Sequence, residues 1–263
     1  MLRFIKVFLR FIVFFAFTLA LVPLQILFVF VPRLRDVIPI FYHRAMLKLL
    51  GVRVRVWGAE PVKGALLVCN HLSWFDIVLI GSIVPVSFVA KKEVKSWPLF
   101  GLLAQLQRTV FVNRRPGRHT VATSNQLARR LAAKDRLVLF PEGTSTDGLR
   151  VLPFKSSLFA SVERQATPVQ VQPMSLAFSD VCNIAMGRRQ RQSYAWVGDV
   201  SFLPHLLSIF GTSPLTVDII FHPPLAEADM VDRKSMARAS EQMVRNGLDD
   251  ILCRRLAVNA ETR

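Results

Sequence analysis

The hydrophobic pattern divides the chain into two unlike parts. Between Phe11 and Val31 the only strongly polar side chain is Gln25, and the run matches the roughly 20 apolar residues that cross a hydrocarbon core. From residue 52 onward, short apolar runs alternate with longer amphipathic stretches. The pattern therefore predicts a membrane-embedded segment at residues 1–36 and a folded domain at residues 37–263.

Basic residues flank the apolar segment on both sides and give no orientation by the positive-inside rule. Pro23 lies inside the segment, where a helix breaks or kinks most easily. Two geometries stay open: a single membrane-spanning helix, or a re-entrant hairpin with both flanks on anionic headgroups. No small-residue cleavage site is evident, so we expect the segment to be retained.

The remaining pattern predicts an α/β domain, a single unit with a largely parallel sheet flanked by helices. Short apolar runs predict strands at 65–69, 86–90, 109–113, 137–140, 169–177, 194–200 and 216–222. Amphipathic stretches predict helices at 74–84, 121–133, 156–165 and 233–256. No internal repeat is visible.

Composition narrows the class of partner. The formal net charge of +16 favours anionic partners, while 52% hydrophobic residues and 20 Phe favour an anionic membrane over nucleic acid. Cys69, Cys182 and Cys253 follow no metal or disulfide spacing. We expect them to be buried thiols in a reducing compartment, and we expect no metal site.

The motif NHLSWFD, residues 70–76, follows a predicted strand and opens a predicted helix. His71 is a suitable base near neutral pH. Five residues of spacing separate two side chains by about 140° on a helix, so His71 must precede the first turn if Asp76 is to orient it. A capping Asn70 or Ser73 with a loop histidine explains the spacing more simply.

Two further junctions carry polar side chains. FPEGTSTDG, residues 140–148, joins glycines to hydroxyls and amides that can cradle an anion, but it is not a Walker loop. RTVFVNRR, residues 108–115, ends a predicted strand in arginines that can hold an anionic headgroup. Taken singly, an ordinary turn and solvated surface charge explain these two segments as well.

Together with PVQVQP at residues 168–173, these motifs resemble, in order and spacing, the four blocks of the glycerolipid acyltransferase family. The resemblance covers about residues 60–225. The family includes 1-acylglycerol-3-phosphate acyltransferases, which make phosphatidate, and bacterial lyso-ornithine lipid acyltransferases, which make ornithine lipid. It implies transfer of a fatty acyl chain from a thioester to a lysolipid hydroxyl.

The resemblance also implies roles for individual residues. His71 would be the general base and Asp76 its orienting partner, with direct attack and no acyl-enzyme. Arg114 would lie in the acceptor headgroup site. The third block would shape that site through Glu142, Gly143, Thr144 and Ser145.

The same resemblance implies partners and a location. Acyl carrier protein or coenzyme A would bring the acyl group as a co-substrate, and no cofactor would be needed. The protein would sit on the bacterial inner membrane with its catalytic domain facing the cytoplasm. A lipid hydrolase and a non-catalytic lipid-binding protein on the same fold are the alternatives.

Two positions depart from the family pattern. Many members have Gly where this chain has Arg108, and Arg where it has Ser145. The missing arginine removes an anion-binding side chain from the expected headgroup site, which makes lyso-ornithine lipid a serious candidate acceptor. His43, His119, His205 and His222 match no block, and we expect them to be structural or surface residues.

Overall fold

The computed structural model describes residues 2–112, 121–163, 169–198 and 200–256. Its N-terminal part is a long helix, α1 (Leu2–Phe28), joined by residues 29–36 to α2 (Val37–Leu50), which packs against it. α1 is the one described helix that is long and apolar enough to cross a membrane. Large apolar side chains on it face outward, among them Phe8 and Leu27.

The rest of the described chain is an α/β domain. Its strands are β1 (Val52–Gly58), β2 (Leu66–Cys69), β3 (Ser87–Lys91), β4 (Val110–Val112), β5 (Leu137–Leu139), β6 (Val171–Val181), β7 (Ile184–Ala185) and β8 (Leu215–Phe221). Its helices are α3 (Asp76–Gly81), α4 (Phe100–Leu106), α5 (Val121–Ala132), α6 (Ala160–Glu163), α7 (Arg188–Tyr194), α8 (Phe202–Phe210) and α9 (Arg233–Leu252).

The strands form one sheet in the order β1-β8-β6-β2-β5-β3-β4, and β7 pairs with β6. Only β6 pairs antiparallel to its neighbours β7 and β8, while the other described pairings are parallel. The prediction of a largely parallel sheet is therefore confirmed. β2 is central and lies directly beside β5, so the segments that follow these two strands meet at one edge.

Helices cover both faces of this sheet, as the apolar strands require. Along β2, Leu67 and Cys69 join one core cluster, and Leu66 and Val68 join the other. This alternation follows from the two-residue period of a strand. The first cluster includes residues of α1, α2, α3 and α8, whereas the second includes residues of α5, α6 and α9.

One predicted strand is wrong. Its described residues, 194–198 and 200, contain no strand, because Tyr194 ends α7 and residues 195–198 are irregular. Their aromatic and branched side chains favour a strand by propensity, but Trp196 instead packs against Trp97 and Phe202. Strands β1 and β7 and helices α2, α4, α7 and α8 were not predicted.

The N-terminal segment does not bend at Pro23, as the re-entrant hairpin, one of the two geometries left open by the sequence, would require. α1 continues through Pro23 without a break, and the chain turns at residues 29–36 instead. Contacts on both sides of the proline offset the lost backbone hydrogen bond. The Thr18 hydroxyl lies 2.9 Å from the Tyr42 hydroxyl, and the Gln25 amide donates to carbonyls of the α/β domain and the 29–36 connection.

The expectation of three buried cysteines is wrong for two of them. Cys69 is fully buried in β2, but Cys182 and Cys253 are exposed. Cys182 lies in the tight turn between β6 and β7 with a positive φ of 51°, and Cys253 caps the end of α9. Each of these two cysteines directly follows the last residue of a strand or helix, where side chains are commonly exposed to solvent.

Candidate active site

The site is built around His71, in the loop that joins β2 to α3. α3 begins at Asp76, so His71 precedes the first helical turn, as the spacing argument requires. Its Nδ1 lies 2.8 Å from Asp76 Oδ2. The same oxygen accepts hydrogen bonds from the backbone N–H groups of Leu72 at 2.7 Å and Ser73 at 3.1 Å. The loop therefore wraps around a fully buried carboxylate.

These contacts define which nitrogen of His71 carries the proton. An ionised carboxylate can only accept, so Nδ1 must be the donor and Nε2 keeps its lone pair. No described residue hydrogen-bonds to Nε2, and 22% of the side chain is exposed. The imidazole stacks on the Phe140 ring at a centroid distance of 4.1 Å. The result is a fixed ring with one basic nitrogen open to a substrate.

The segment after β5 holds the main chain of His71. Glu142 Oε1 accepts from the His71 N–H, and Oε2 accepts from the Leu152 N–H, each at 2.8 Å. The Thr146 N–H donates to the His71 carbonyl at 2.8 Å. Both backbone polar groups of His71 are thus bound by the third block, which positions the base independently of its ring.

Glu142 is a carboxyl group with an unusually high pKa. Burial raises its pKa to about 7, although the backbone hydrogen bonds from Leu152 and His71 lower it in part. The nearby carboxylates of Asp76 and Glu241 add to the rise. The protonation of this group therefore changes within the range in which a histidine base works.

The neighbouring residues of the third block have different surroundings. Gly143 adopts a positive φ of 75°, so another residue there would be strained, and its Cβ would lie 2.6 Å from Lys155 Nζ and displace that flexible side chain. Thr144 is exposed, and the Ser145 hydroxyl donates to the Trp196 carbonyl. Ser145 is therefore engaged in holding the segment that follows α7.

The profile of the family described as Acyltransferase matches residues 53–177 of the chain. The chain is 41% identical over 256 residues to the lyso-ornithine lipid O-acyltransferase of Brucella abortus, covering 94% of this chain and 96% of that protein. The chain is a member of the glycerolipid acyltransferase family. It is an acyltransferase by that membership, and the matched residues include the whole His71 loop and the third block.

Two further relatives carry two different names. The lyso-ornithine lipid O-acyltransferase of Rhizobium meliloti is 41% identical over 89% of this chain and 83% of its own length. The 1-acyl-sn-glycerol-3-phosphate acyltransferase of Neisseria gonorrhoeae is 32% identical over 74% of each chain. Among solved structures, the acyltransferase PlsC of Thermotoga maritima superposes with a TM-score of 0.65 at 19% identity, over 94% of this chain and 97% of PlsC. That likeness shows a shared fold.

Arg108 is the one arginine of the second block that lies within the described residues. Arg108 lies before β4, at the sheet edge opposite to His71, where it shares Asp135 with Arg35 and Arg130. These contacts fasten the 29–36 connection to the domain. Arg114 lies outside the described residues.

The other capping candidates are also placed. Asn70 does not cap α3, because its amide exchanges two hydrogen bonds with the Leu176 main chain in β6. The Ser73 hydroxyl accepts from the Phe75 N–H at 3.1 Å. Within the described residues, no group of three or more His, Cys, Asp or Glu side chains is placed to hold a metal ion.

Sequence reasoning did not find the cavity beside this loop. It has a volume of about 160 Å³ and lies between α1, α2 and the sheet. Its lining is almost entirely apolar and includes Trp74, Phe75, Trp97, Phe100 and Phe202. The abundance of Phe is the one signal in the sequence that agrees with such a cavity, but the residues that line it lie far apart in the sequence.

Proposed function

We propose that this acyltransferase moves a fatty acyl group from a thioester to the free hydroxyl of a lysolipid, with lyso-ornithine lipid as the acceptor. The observation that carries the proposal is the His71 imidazole, bound at Nδ1 by buried Asp76 and open at Nε2. The two relatives at 41% identity, both named lyso-ornithine lipid O-acyltransferase, support the choice of acceptor.

In the proposed reaction, His71 Nε2 takes the proton of the acceptor hydroxyl as its oxygen attacks the thioester carbonyl. The C–S bond then breaks, and the imidazolium returns the proton to the leaving thiolate. Asp76 stays ionised and stabilises the imidazolium that forms between these steps. Because the hydroxyl attacks directly, no protein nucleophile and no acyl-enzyme are needed. The reaction consumes no cofactor, and we assign no step to a metal.

The apolar cavity next to the His71 loop is suited to the acyl chain. Trp74 and Phe75, which lie between His71 and Asp76 in the sequence, form part of its wall. An acyl chain in the cavity leaves its thioester carbonyl near the loop that carries the base. A donor with an acidic carrier, either acyl carrier protein or coenzyme A, suits the net charge of +16.

We place the protein on one face of the bacterial inner membrane, with the catalytic domain on the cytoplasmic side. Near the start of α1, Arg10 donates to the carbonyls of Leu50, Phe210 and Thr212. Near its end, Gln25 donates to the Leu106 carbonyl. Both ends of a helix about 40 Å long are thus held by one domain, which favours a helix lying in a single leaflet over one that crosses.

The acceptor is tested with detergent-purified protein and a labelled acyl-carrier-protein thioester. Lyso-ornithine lipid and 1-acylglycerol-3-phosphate are offered in parallel, beside a His71→Ala control and a reaction without acceptor. We expect turnover of lyso-ornithine lipid that depends on His71. Turnover of the phosphate acceptor alone would overturn the choice of acceptor, and fatty acid release without any acceptor would indicate a hydrolase.

The Ser145→Arg variant adds a test of the headgroup site. It restores the arginine found at this position in many family members, and it removes the hydroxyl that binds the Trp196 carbonyl. We expect it to lower turnover of lyso-ornithine lipid relative to the phosphate acceptor. Ser145→Ala is the matched control, because it removes the same hydrogen bond without adding a charge.

A further inference from the structure

His205 is buried in α8, beyond the residues 53–177 that the family profile matches. It nevertheless contacts the first block. The indole Nε1–H of Trp74 donates to His205 Nδ1 at 2.9 Å. Trp74 stands three residues after His71 and two before Asp76, so His205 reaches into the catalytic loop from a distant part of the sequence.

The two partners of His205 define its state. Its Nε2 lies 3.2 Å from the Tyr194 carbonyl. An indole N–H can only donate and a carbonyl can only accept, so the imidazole is neutral with its proton on Nε2. His205 therefore links Trp74 on one side to the end of α7 on the other. Nδ1 is the only hydrogen-bond acceptor that the described residues offer to the Trp74 indole.

The segment between α7 and α8 is tied to the same loop by its backbone. The Trp196 N–H donates to the Leu72 carbonyl at 2.9 Å, and the Trp196 carbonyl accepts from the Ser145 hydroxyl. The Trp196 ring also lies against the His205 ring, with centroids 6.2 Å apart. His205 is thus held within a segment that is itself bound to the first and third blocks.

Trp74, which His205 holds by this hydrogen bond, also forms part of the cavity wall. Its ring packs edge-on against Phe202 at 5.8 Å and Phe100 at 6.4 Å, and all three rings line the cavity. Aromatic packing favours certain ring orientations, and a directional hydrogen bond further restricts the rotation of the indole in its plane. The position of the Trp74 wall therefore depends on the acceptor that His205 provides.

We propose that His205 is a positioning residue that fixes the Trp74 indole and thereby sets the wall of the acyl-binding cavity beside His71. The proposal rests on the proposed function, because it takes the cavity as the site of the donor acyl chain. It predicts that loss of the Nδ1 acceptor changes the choice and binding of the donor more than the rate of the chemical step.

The test compares His205→Leu with His205→Asn in the full chain. Leucine removes the acceptor, whereas the asparagine carbonyl oxygen can take the place of Nδ1. For each variant we measure kcat and KM over acyl-carrier-protein thioesters of increasing chain length, with saturating lyso-ornithine lipid. For His205→Leu we expect a donor KM raised roughly tenfold, as for an unpaired buried donor, a broadened chain-length profile and a kcat within about threefold of the wild-type value. His205→Asn should restore most of the selectivity.

A second variant tests the bond from its other side. Trp74→Phe removes the donor and leaves His205 in place, and the double variant Trp74→Phe/His205→Leu should be no less selective than Trp74→Phe alone. Additive effects of the two substitutions on donor KM would overturn the proposal. The proposal would also be overturned if His205→Leu kept the donor KM and chain-length profile of the wild type. Equal behaviour of His205→Asn and His205→Leu would overturn it as well.

A spectroscopic readout separates this proposal from the proposed function. The chain has four Trp residues, so the NMR signal of the Trp74 indole N–H can be assigned by its loss in the Trp74→Phe variant. We expect that signal to shift in His205→Leu and to stay near its original position in His205→Asn. An unchanged signal in His205→Leu would overturn the positioning role even if the enzyme is active. Absence of wild-type acyl transfer with the expected shifts would overturn the proposed function alone.

Discussion

At the scale of single residues, the proposed mechanism gives His71 and Asp76 different roles, the first as base and the second as its orienting group. In the proposed reaction His71 presents Nε2 to the substrate, while Asp76 binds Nδ1 and two backbone N–H groups from a fully buried position. Asp76 therefore acts through His71 and through the shape of the loop. The two side chains should differ in the effect of their removal.

We expect His71→Ala to abolish nearly all acyl transfer, and Asp76→Asn to leave a residual rate about 100- to 10,000-fold below the wild-type rate. Asparagine retains the shape of the side chain but no longer favours the proton on Nδ1. Steady-state turnover with a saturating acceptor measures both effects, with exposed Asp249→Asn as the matched control. Near-normal turnover in folded His71→Ala would contradict the mechanism.

Glu142 should give the enzyme a pH-dependent stability. Its pKa is raised to about 7 by burial, so the neutral carboxyl is favoured in the folded state. The contribution of the neutral carboxyl to the stability of the folded state is fully present below pH 4.5, the ordinary pKa of the group. This contribution is lost as the pH rises through 7. We expect the Tm of the wild type to fall over this window relative to that of Glu142→Gln, which does not titrate. A constant difference in Tm between pH 4 and pH 8 would show that Glu142 is not perturbed.

For Arg114 the expectation rests on its place in the second block. If Arg114 holds the acceptor headgroup, Arg114→Ala should raise the KM for the lysolipid with a smaller effect on the donor KM. Initial rates with each substrate varied in turn separate the two constants. An effect confined to the donor KM would mean that the two substrates are assigned to the wrong sites.

At the scale of secondary-structure elements, the Arg10 side chain links helices α1, α2 and α8. It lies on α1, and its guanidinium donates to the last carbonyls of α2 and α8 and to the Thr212 carbonyl. The Leu50 and Phe210 carbonyls end their helices, where carbonyls lack intrahelical partners and carry the negative end of the helix dipole. The attachment of α1 therefore depends on one charged side chain as well as on apolar packing.

Arg10→Met should destabilise the folded protein by about 1.5 to 3 kcal/mol, the usual contribution of hydrogen bonds to a charged group. The apolar side chain keeps the surface for lipid but leaves the carbonyls unpaired. Chemical unfolding in detergent measures the change, beside exposed Arg53→Met in β1 as a control. Equal effects of the two substitutions would show that the Arg10 contacts contribute nothing specific.

At the scale of the whole molecule, both ends of α1 lie against one domain, so the N-terminus and the domain should share one side of the membrane. We expect a protease site added before Met1 to be protected in intact spheroplasts and cleaved in inverted vesicles. The exposed thiol of Cys182 reports the side of the catalytic domain in the same samples. Cleavage of the N-terminal site in intact spheroplasts, with Cys182 still protected, would indicate a membrane-spanning helix.

The sequence predicts the centre of this molecule better than its periphery. The motif after β2 and the motif after β5 are found from apolar runs followed by polar residues, and parallel neighbours bring their ends together. Residues 194–200 were wrongly assigned to a strand because a tertiary aromatic cluster overrides local propensity there. The contacts of Arg108 and His205 could not be predicted, because they join residues 27 and 131 positions apart.

The attachment of α1 to α8 also affects the order of events during synthesis of the chain. Arg10 and its partner Phe210 are separated by 200 residues, so α1 leaves the ribosome long before α8 exists. At translation rates of about 5 to 20 residues per second, this interval lasts about 10 to 40 s. Throughout it, the apolar helix has only lipid or chaperones to cover it, so arrival at the membrane precedes completion of the fold. For the membrane location proposed above, the nascent enzyme would reach the lipid surface before its domain can close around His71.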